Sequence, residues 1–255
     1  MSSAFFELKA GEFLPAPHAC SPWSADMLHG RLLGGLAARC LEQEHREDGL
    51  RFARLTVDLF KNSPLLPVRV ETARVRDGRR IRVADATLRT AQGVVGRAAA
   101  VLLREGEQPG GERNTTPAWD ERPPQGPPDR GDWTPPFDLW RLTDWGTAQP
   151  MRAWTRENRP LVGGEEPTPF TRAALAADFA SPLSGAGTRG VEFINADFTL
   201  TLAREPVGEL VGMAAQGHLS ADGIGTGDCV LHDVEGPIGY CVVTAVANPV
   251  PLSGR

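Results

Sequence analysis

The sequence predicts an α+β fold in which one unit is written twice. Three observations carry that prediction. A strand-turn-strand pattern recurs at a fixed shift, an apolar helical segment precedes each copy, and a Pro/Gly-rich stretch separates the two. The 255 residues suffice for two domains of ordinary size, and 41% hydrophobic residues beside 23% charged ones supply a sizeable core.

The first copy reads RLTVDLF from Arg54, then PVRVETARV, a turn at Asp77-Gly78, RRIRVADATLRT, a turn at Gln92-Gly93 and VVGRAAAVLL. The second reads NADFTLTLA, VGELVGMAAQGHL, a turn at Asp222-Gly223, IGTGDCVLHD, a turn at Glu235-Gly236 and PIGYCVVTAV. At a shift of 143, Thr56 meets Thr199, Leu59 meets Leu202, Asp85 meets Asp228 and Leu88 meets Leu231. Gly93 then meets Gly236, and Gly96 meets Gly239. Leu55, Val57 and Leu59 alternate with polar neighbours, as do Phe198, Leu200 and Leu202, which is the period of a half-buried strand. Asp-Gly turns supply the positive φ of tight hairpins, so each copy is an antiparallel sheet of four strands.

A helix is expected ahead of each sheet. The first runs from about His29 to His45, with Leu32, Leu33, Leu36, Ala37, Cys40 and Leu41 at helical spacing. It is apolar most of the way round, hence buried, and Gly30, Gly34, Gly35, Ala37 and Ala38 let a sheet approach its backbone. Thr171 to Ala180 takes the matching place in the second copy. A buried helix wrapped by a curved antiparallel sheet is the hotdog arrangement. Two copies make a double hotdog, in which the units pair edges that would invite aggregation if exposed singly. The expected boundaries are 1–104 for the N-terminal unit, 105–136 for a Pro/Gly-rich linker and 137–255 for the C-terminal unit. Gln149 to Glu157 reads as the opening strand of the second unit, mirroring Phe5–Leu8 or Phe13–Leu14 in the first.

A net charge of −5 and a pI near 5.6 leave no electrostatic footprint for nucleic acid. The cluster Arg74, Arg76, Arg79, Arg80 and Arg82 reads either as a solvated hairpin or as a phosphate-meeting patch. Cys20, Cys40, Cys229 and Cys241 are far apart and form no CxxC pair, as suits reduced thiols in a cytoplasmic protein. The N-terminus lacks a signal-peptide pattern, and no apolar run approaches the ~18 residues of a membrane span.

Several runs resemble the TesB-like acyl-CoA thioesterases. Pro22-Trp23 followed by Leu28-His29-Gly30-Arg31-Leu32 is similar to the Trp…His-Gly-Gly opening of the central helix in the thioesterase superfamily. Leu175-Ala176-Ala177-Asp178-Phe179 resembles the Asp-bearing second helix of the double-hotdog members. Phe193-Ile194-Asn195-Ala196-Asp197-Phe198-Thr199, Arg204-Glu205-Pro206-Val207-Gly208-Glu209 and Asp222-Gly223-Ile224-Gly225 resemble the strands and turns that follow. The likeness covers nearly the whole chain apart from the linker. It implies hydrolysis of a fatty acyl-CoA thioester by an activated water, with no metal and no cofactor.

That chemistry needs a group to orient water, donors for the developing oxyanion and an apolar place for the acyl chain. Asp178 is the candidate for the first, because a carboxylate in so apolar a helix is costly unless paired or functional. A solvent-facing or loop-capping Asp178 is the alternative. The family places a hydroxyl and an amide on two strands beside this Asp. Alignment on the Asp197 strand puts the hydroxyl position at Asn195, and alignment on Gly236 puts the amide position at Thr244, so the side-chain types are exchanged. Either can bond a water or a carboxylate, and Thr244 also reads as an ordinary strand threonine. His29 and Gly30 open the first helix, where His29 is a donor to the thioester carbonyl or a structural hydrogen bond in a turn. Arg31 stands where the family has a second glycine, and either reaches a CoA phosphate or fills the site.

Other chemistries lack their residues. There is no GxSxG, and Gly223-Ile224-Gly225-Thr226-Gly227 leads into a strand rather than a nucleotide-binding helix. His18, His29, His45, His218 and His232 show no HExxH spacing, and the Asp-x-Asn-Pro-x-His stretch of hotdog hydratases is absent. The sequence therefore points to an acyl-CoA thioester hydrolase. A non-catalytic acyl-CoA or lipid-binding protein on the same fold is the alternative, and a monomer and a homodimer are both compatible.

Overall fold

The computed structural model describes residues 3–60, 62–129, 135–145, 147 and 149–252. A small hairpin, β1 (Phe6–Lys9) and β2 (Glu12–Pro15), and a short pair, β3 (Cys20–Ser21) and β4 (Ser24–Leu28), lead into helix α1 (Gly30–His45). The strands β5 (Leu50–Leu59), β6 (Arg69–Asp77), β7 (Ile81–Thr90) and β8 (Gly93–Arg104) follow. After the linker come β9 (Asp138–Arg141), β10 (Arg152–Arg156), α2 (Pro169–Ala177), α3 (Ala180–Gly185) and β11 (Ala186–Gly187). The chain closes with β12 (Gly190–Asn195), β13 (Asp197–Leu202), β14 (Leu210–Ala221), β15 (Ile224–Asp233) and β16 (Gly236–Leu252).

Among the described residues, twelve strands join in one antiparallel sheet whose order repeats the sequence duplication. In the first half β5 pairs β8, β8 pairs β7 and β7 pairs β6; in the second β13 pairs β16, β16 pairs β15 and β15 pairs β14. The halves meet where β5 pairs β13, with Thr56 opposite Thr199 and Asp58 opposite Asp197. Thr56 and Thr199, which match at the shift of 143, share a hydroxyl hydrogen bond of 3.1 Å. A local two-fold axis therefore passes through this threonine pair, and each half covers the edge the other would leave open.

The core lies between this sheet and the helices. α1 buries nearly every side chain of its first three turns, including Leu32, Leu33, Leu36, Ala37 and Ala38. Its small residues are needed there: a Cβ on Gly34 would sit 2.6 Å from the Phe198 ring, and one on Gly35 would sit 3.2 Å from Leu161 as well as against Leu175. α1 thus packs on the second half, antiparallel to α2, and the Phe52 and Phe170 rings stack at 4.4 Å between the halves. Turn chemistry follows the expectation at Asp222-Gly223, Gly93 and Gly236, all at positive φ. Gly78 differs. Its φ is not positive, and it is needed because a Cβ would come within 2.6 Å of the Ile81 carbonyl oxygen.

The second helix starts earlier than the periodicity suggests and breaks where none was expected. Thr168 caps it, accepting the Thr171 N–H at 3.1 Å, with Pro169 as its first residue. It stops at Ala177 because Pro182 has no N–H for the Asp178 carbonyl and its ring excludes a continuous helix there. The expected 105–136 linker has no helix or strand among its described residues, and 130–134 lie outside them. Trp119 from this stretch stacks on Trp154 at 5.0 Å and meets the His232 ring in a tilted contact at 4.8 Å, and Thr116 bonds Tyr240, so the segment lies along the second half. In the basic hairpin, Arg82 and Arg74 pair with Asp77, and Arg82 also pairs with Glu47. All four cysteines are free, and no helix among the described residues is long and apolar enough to cross a membrane.

Candidate active site

The break between α2 and α3 makes Asp178 the residue on which α2 ends, directed at the first turn of α1. Only 7% of Asp178 is exposed, which rules out the solvent-facing alternative. Asn195, the last residue of β12, donates its amide N–H to Oδ1 at 2.8 Å. Gly30 presents bare backbone to the same carboxyl: a Cβ there would be 3.5 Å from Oδ1, 3.7 Å from Oδ2 and 3.0 Å from Leu59. The site is therefore composite. The first half brings a helix N-terminus, with the Arg31 N–H turned to Asp178 and the Leu32 N–H to the His29 carbonyl at 3.0 Å, and the second half brings a carboxylate and its amide partner.

Burial pushes the Asp178 carboxyl above the ordinary carboxylate range. The Asn195 hydrogen bond and then the Arg31 charge and backbone N–H pull it back without cancelling that effect. His29, 3.9 Å from Asp178 through Nδ1, caps α1 by position but not by a side-chain bond. Burial, and after it the Arg31 charge, hold its imidazole down to about 3, so at neutral pH the ring is uncharged. Unfolding restores an ordinary histidine near 6.5, so the unfolded chain binds a proton that the folded chain refuses. This contribution lowers stability as pH drops from about 6.5 towards about 3, and His29→Gln should flatten that slope. Urea midpoints for both proteins across this range measure the effect. Equal slopes would contradict it.

Arg31 fills the site rather than reaching a phosphate. It is 2% exposed, pairs with the partly buried Glu157 and lies over the Phe137 ring at 4.7 Å. One helical face repeats the device: Arg39, eight residues on, pairs with Glu165, eight residues after Glu157, at 2.6 Å. Two arginines on so apolar a helix demand carboxylates, and that was a legible signal for Glu157 and Glu165.

Thr244 is not brought to Asp178. It is exposed, its hydroxyl and its backbone N–H (2.9 Å) both donating to Asp197. The reason is strand parity. Cys241, Val243 and Ala245 point inward along β16 and Thr244 outward, while Asn195 pairs with Ala245. The neighbour that shares the Asn195 face is thus Ala245, which carries no hydrogen-bonding side chain. A one-residue offset in alignment moves a side chain to the other face of a sheet.

Comparison with known proteins gives the family and the fold. Family models match residues 20–103 as an acyl-CoA thioesterase N-terminal domain and 108–247 as an acyl-CoA thioesterase C-terminal domain. The chain belongs to the acyl-CoA thioesterase family. Similar solved structures include a conserved hotdog-fold protein of unknown function from Alicyclobacillus acidocaldarius (14% identity, 97% of this chain and 96% of that one, TM-score 0.75). A tesB protein from Mycobacterium avium subsp. paratuberculosis matches at 14% identity, with 95% of both chains covered and a TM-score of 0.70. The acyl-CoA thioesterase II TesB2 of Mycobacterium marinum matches at 12% identity over 98% of this chain and 95% of that one, TM-score 0.67. At these identities the likeness establishes the fold. No curated protein sequence matches.

Proposed function

We propose that this chain is a double hotdog, with units at 1–104 and 137–255 joined by 105–136, that hydrolyses fatty acyl-CoA thioesters by water attack at Asp178. The observation carrying this reading is the buried carboxylate of one half set against the helix N-terminus of the other, with Asn195 holding Oδ1. Oδ2 takes a proton from a water as that water attacks the thioester carbonyl carbon. The carbonyl oxygen becomes an oxyanion facing the Gly30 N–H at the start of α1, with neutral His29 as a further donor. Collapse breaks the C–S bond, and the proton on Asp178 passes to the departing CoA thiolate. One water is consumed, an acid and a thiol leave, and the carboxylate is restored. Arg31 acts from behind: its charge and its N–H favour the ionised Asp178. No metal or cofactor enters this scheme, the free thiols fit the cytoplasm, and monomer and homodimer both accommodate it.

Its test is the pH dependence of thiol release from an acyl-CoA, followed with Ellman's reagent. The acid limb should be set by Asp178 and lie above the ordinary carboxylate range, and Asn195→Ala should move it to still higher pH. A limb near 3 that vanishes in His29→Gln would transfer the role to the histidine.

A second reading is a non-catalytic acyl-CoA or lipid-binding protein on the same fold. Ala245 favours it, since Asp178 then has one polar strand neighbour, Asn195, rather than two.

A further inference from the structure

The break between α2 and α3 releases a carbonyl beside Asp178. In a continuous helix the Ala177 carbonyl would accept the Ser181 N–H, four residues on. That N–H bonds the Asp178 carbonyl instead, at 3.2 Å. The Ala177 carbonyl belongs to the same planar peptide unit as the Asp178 nitrogen. Whatever holds it therefore fixes the direction in which the Asp178 side chain leaves the backbone.

Two thiols that the hydrolysis above leaves unused lie against this break. Cys229 of β15 and Cys241 of β16 stand directly opposite each other, both fully buried. Burial pushes both well above the ordinary thiol range, so each is an S–H donor at neutral pH and not a nucleophile. Cys241 Sγ lies 3.3 Å from the Ala177 carbonyl oxygen, with the Val242 carbonyl a poorer acceptor at 3.9 Å. Cys229 Sγ lies 3.9 Å from the Ala180 carbonyl, which already accepts the Ser184 hydroxyl at 2.7 Å. The other copy of the repeat supplies a comparison. At the shift of 143 the two cysteines fall on Ala86 and Ala98, which likewise pair across β7 and β8 and are buried. The sheet there packs on α1, which runs unbroken from Gly30 to His45. A donor thus stands where the helix over the sheet is broken, and a methyl group where it is whole.

We propose that Cys241 is a positioning residue of the Asp178 site, its S–H holding the Ala177 carbonyl so that the carboxylate keeps its place against Gly30 and Asn195. The proposal rests on the reading of Asp178 above and adds a second tether to it. Asn195 fixes the carboxyl at Oδ1, and Cys241 fixes the backbone behind it. A thiol is a weak donor, but a buried carbonyl left without a partner is costly, so the tether matters more than its own strength suggests.

The test separates the donor from the volume it fills. Cys241→Ala, Cys241→Ser and Cys229→Ala are assayed for kcat and KM of acyl-CoA hydrolysis. Cys241→Ala should lower kcat at least tenfold with KM unchanged, since a small misplacement of a reacting group suffices for that. Cys241→Ser keeps a donor and should recover most of the loss. Cys229→Ala removes the same atom from the opposite position and should keep the wild-type kcat. Wild-type kcat in Cys241→Ala overturns the proposal. An equal loss in Cys241→Ser or in Cys229→Ala also overturns it, because packing would then be the cause. The S–H stretching band in the infrared reads the tether without turnover. The band that Cys241→Ala removes should lie below that of a free thiol and should shift in Asp178→Asn, whose charge reaches the sulfur. A band at the free-thiol position, or one that Asp178→Asn leaves unmoved, overturns the proposal whatever the turnover. Where wild type hydrolyses no acyl-CoA, a lowered band that shifts in Asp178→Asn sustains the tether and removes the hydrolysis alone.

Discussion

Asp178→Asn should lower kcat for acyl-CoA hydrolysis by roughly 10²–10⁴-fold, the contribution of a positioned general base. The substitution is nearly isosteric, and its carbonyl can still accept the Asn195 amide that Oδ1 accepts now at 2.8 Å. What it removes is the negative charge that draws the proton from water. KM should stay close to wild type, because the carboxylate acts on the water rather than on the CoA moiety. Stability should hold or rise, since a carboxyl that burial pushes upward is costly to keep ionised at neutral pH. A kcat loss with unchanged KM and thermal midpoint identifies a chemical role. Undiminished turnover would remove Asp178 from the mechanism, and a collapsed midpoint would make it a structural residue.

The largest expected effect on stability is at Gly239. It lies on β16 opposite Leu202, and a Cβ there would fall inside contact distance of the Thr201 carbonyl oxygen and 3.1 Å from the Leu202 Cα. Both are backbone atoms of β13, so no rotamer relieves the clash, and β13 also pairs with β5 across the two halves. Gly239→Ala should therefore cost about 3 kcal/mol or more, at the upper end for an overpacked core. For a chain of this size that is a fall in Tm of roughly 6–12 °C. Gly96, its repeat mate, faces the Asp58 carbonyl at 2.9 Å by the same construction, so Gly96→Ala should be the milder of the pair. Thermal unfolding of both variants measures this, and an unshifted Tm for Gly239→Ala would contradict it.

The duplication was the most legible feature. Period-two strands, turn glycines and one apolar helix per copy are local signals, and the matches at Thr56 and Thr199, Gly93 and Gly236, and Gly96 and Gly239 all carry structural meaning. Asp178 was legible because a lone carboxylate in an apolar helix has to be paired, and Asn195 stands at its expected place beside it. What escaped depended on alignments finer than a pattern resolves. Thr244 and Ala245 are adjacent in sequence and face opposite sides of the sheet, so an offset of one residue exchanged a buried position for an exposed one. Glu157 and Glu165 lie in connecting segments without periodicity, and their partners Arg31 and Arg39 were the only pointer to them. The break after Ala177 needed the cost of Pro182 to be weighed against the apolar run around it.

The central claim is that the composite site at Asp178 turns over acyl-CoA. The most direct measurement takes one preparation of the wild-type protein and follows thiol release from acyl-CoAs of short to long chain beside a binding titration of the same compounds. The account predicts enzyme-dependent release with a chain-length optimum that coincides with measurable binding. Tight binding across the panel with no release would contradict it and identify a binding protein in which Ala245 leaves the carboxylate short of a partner.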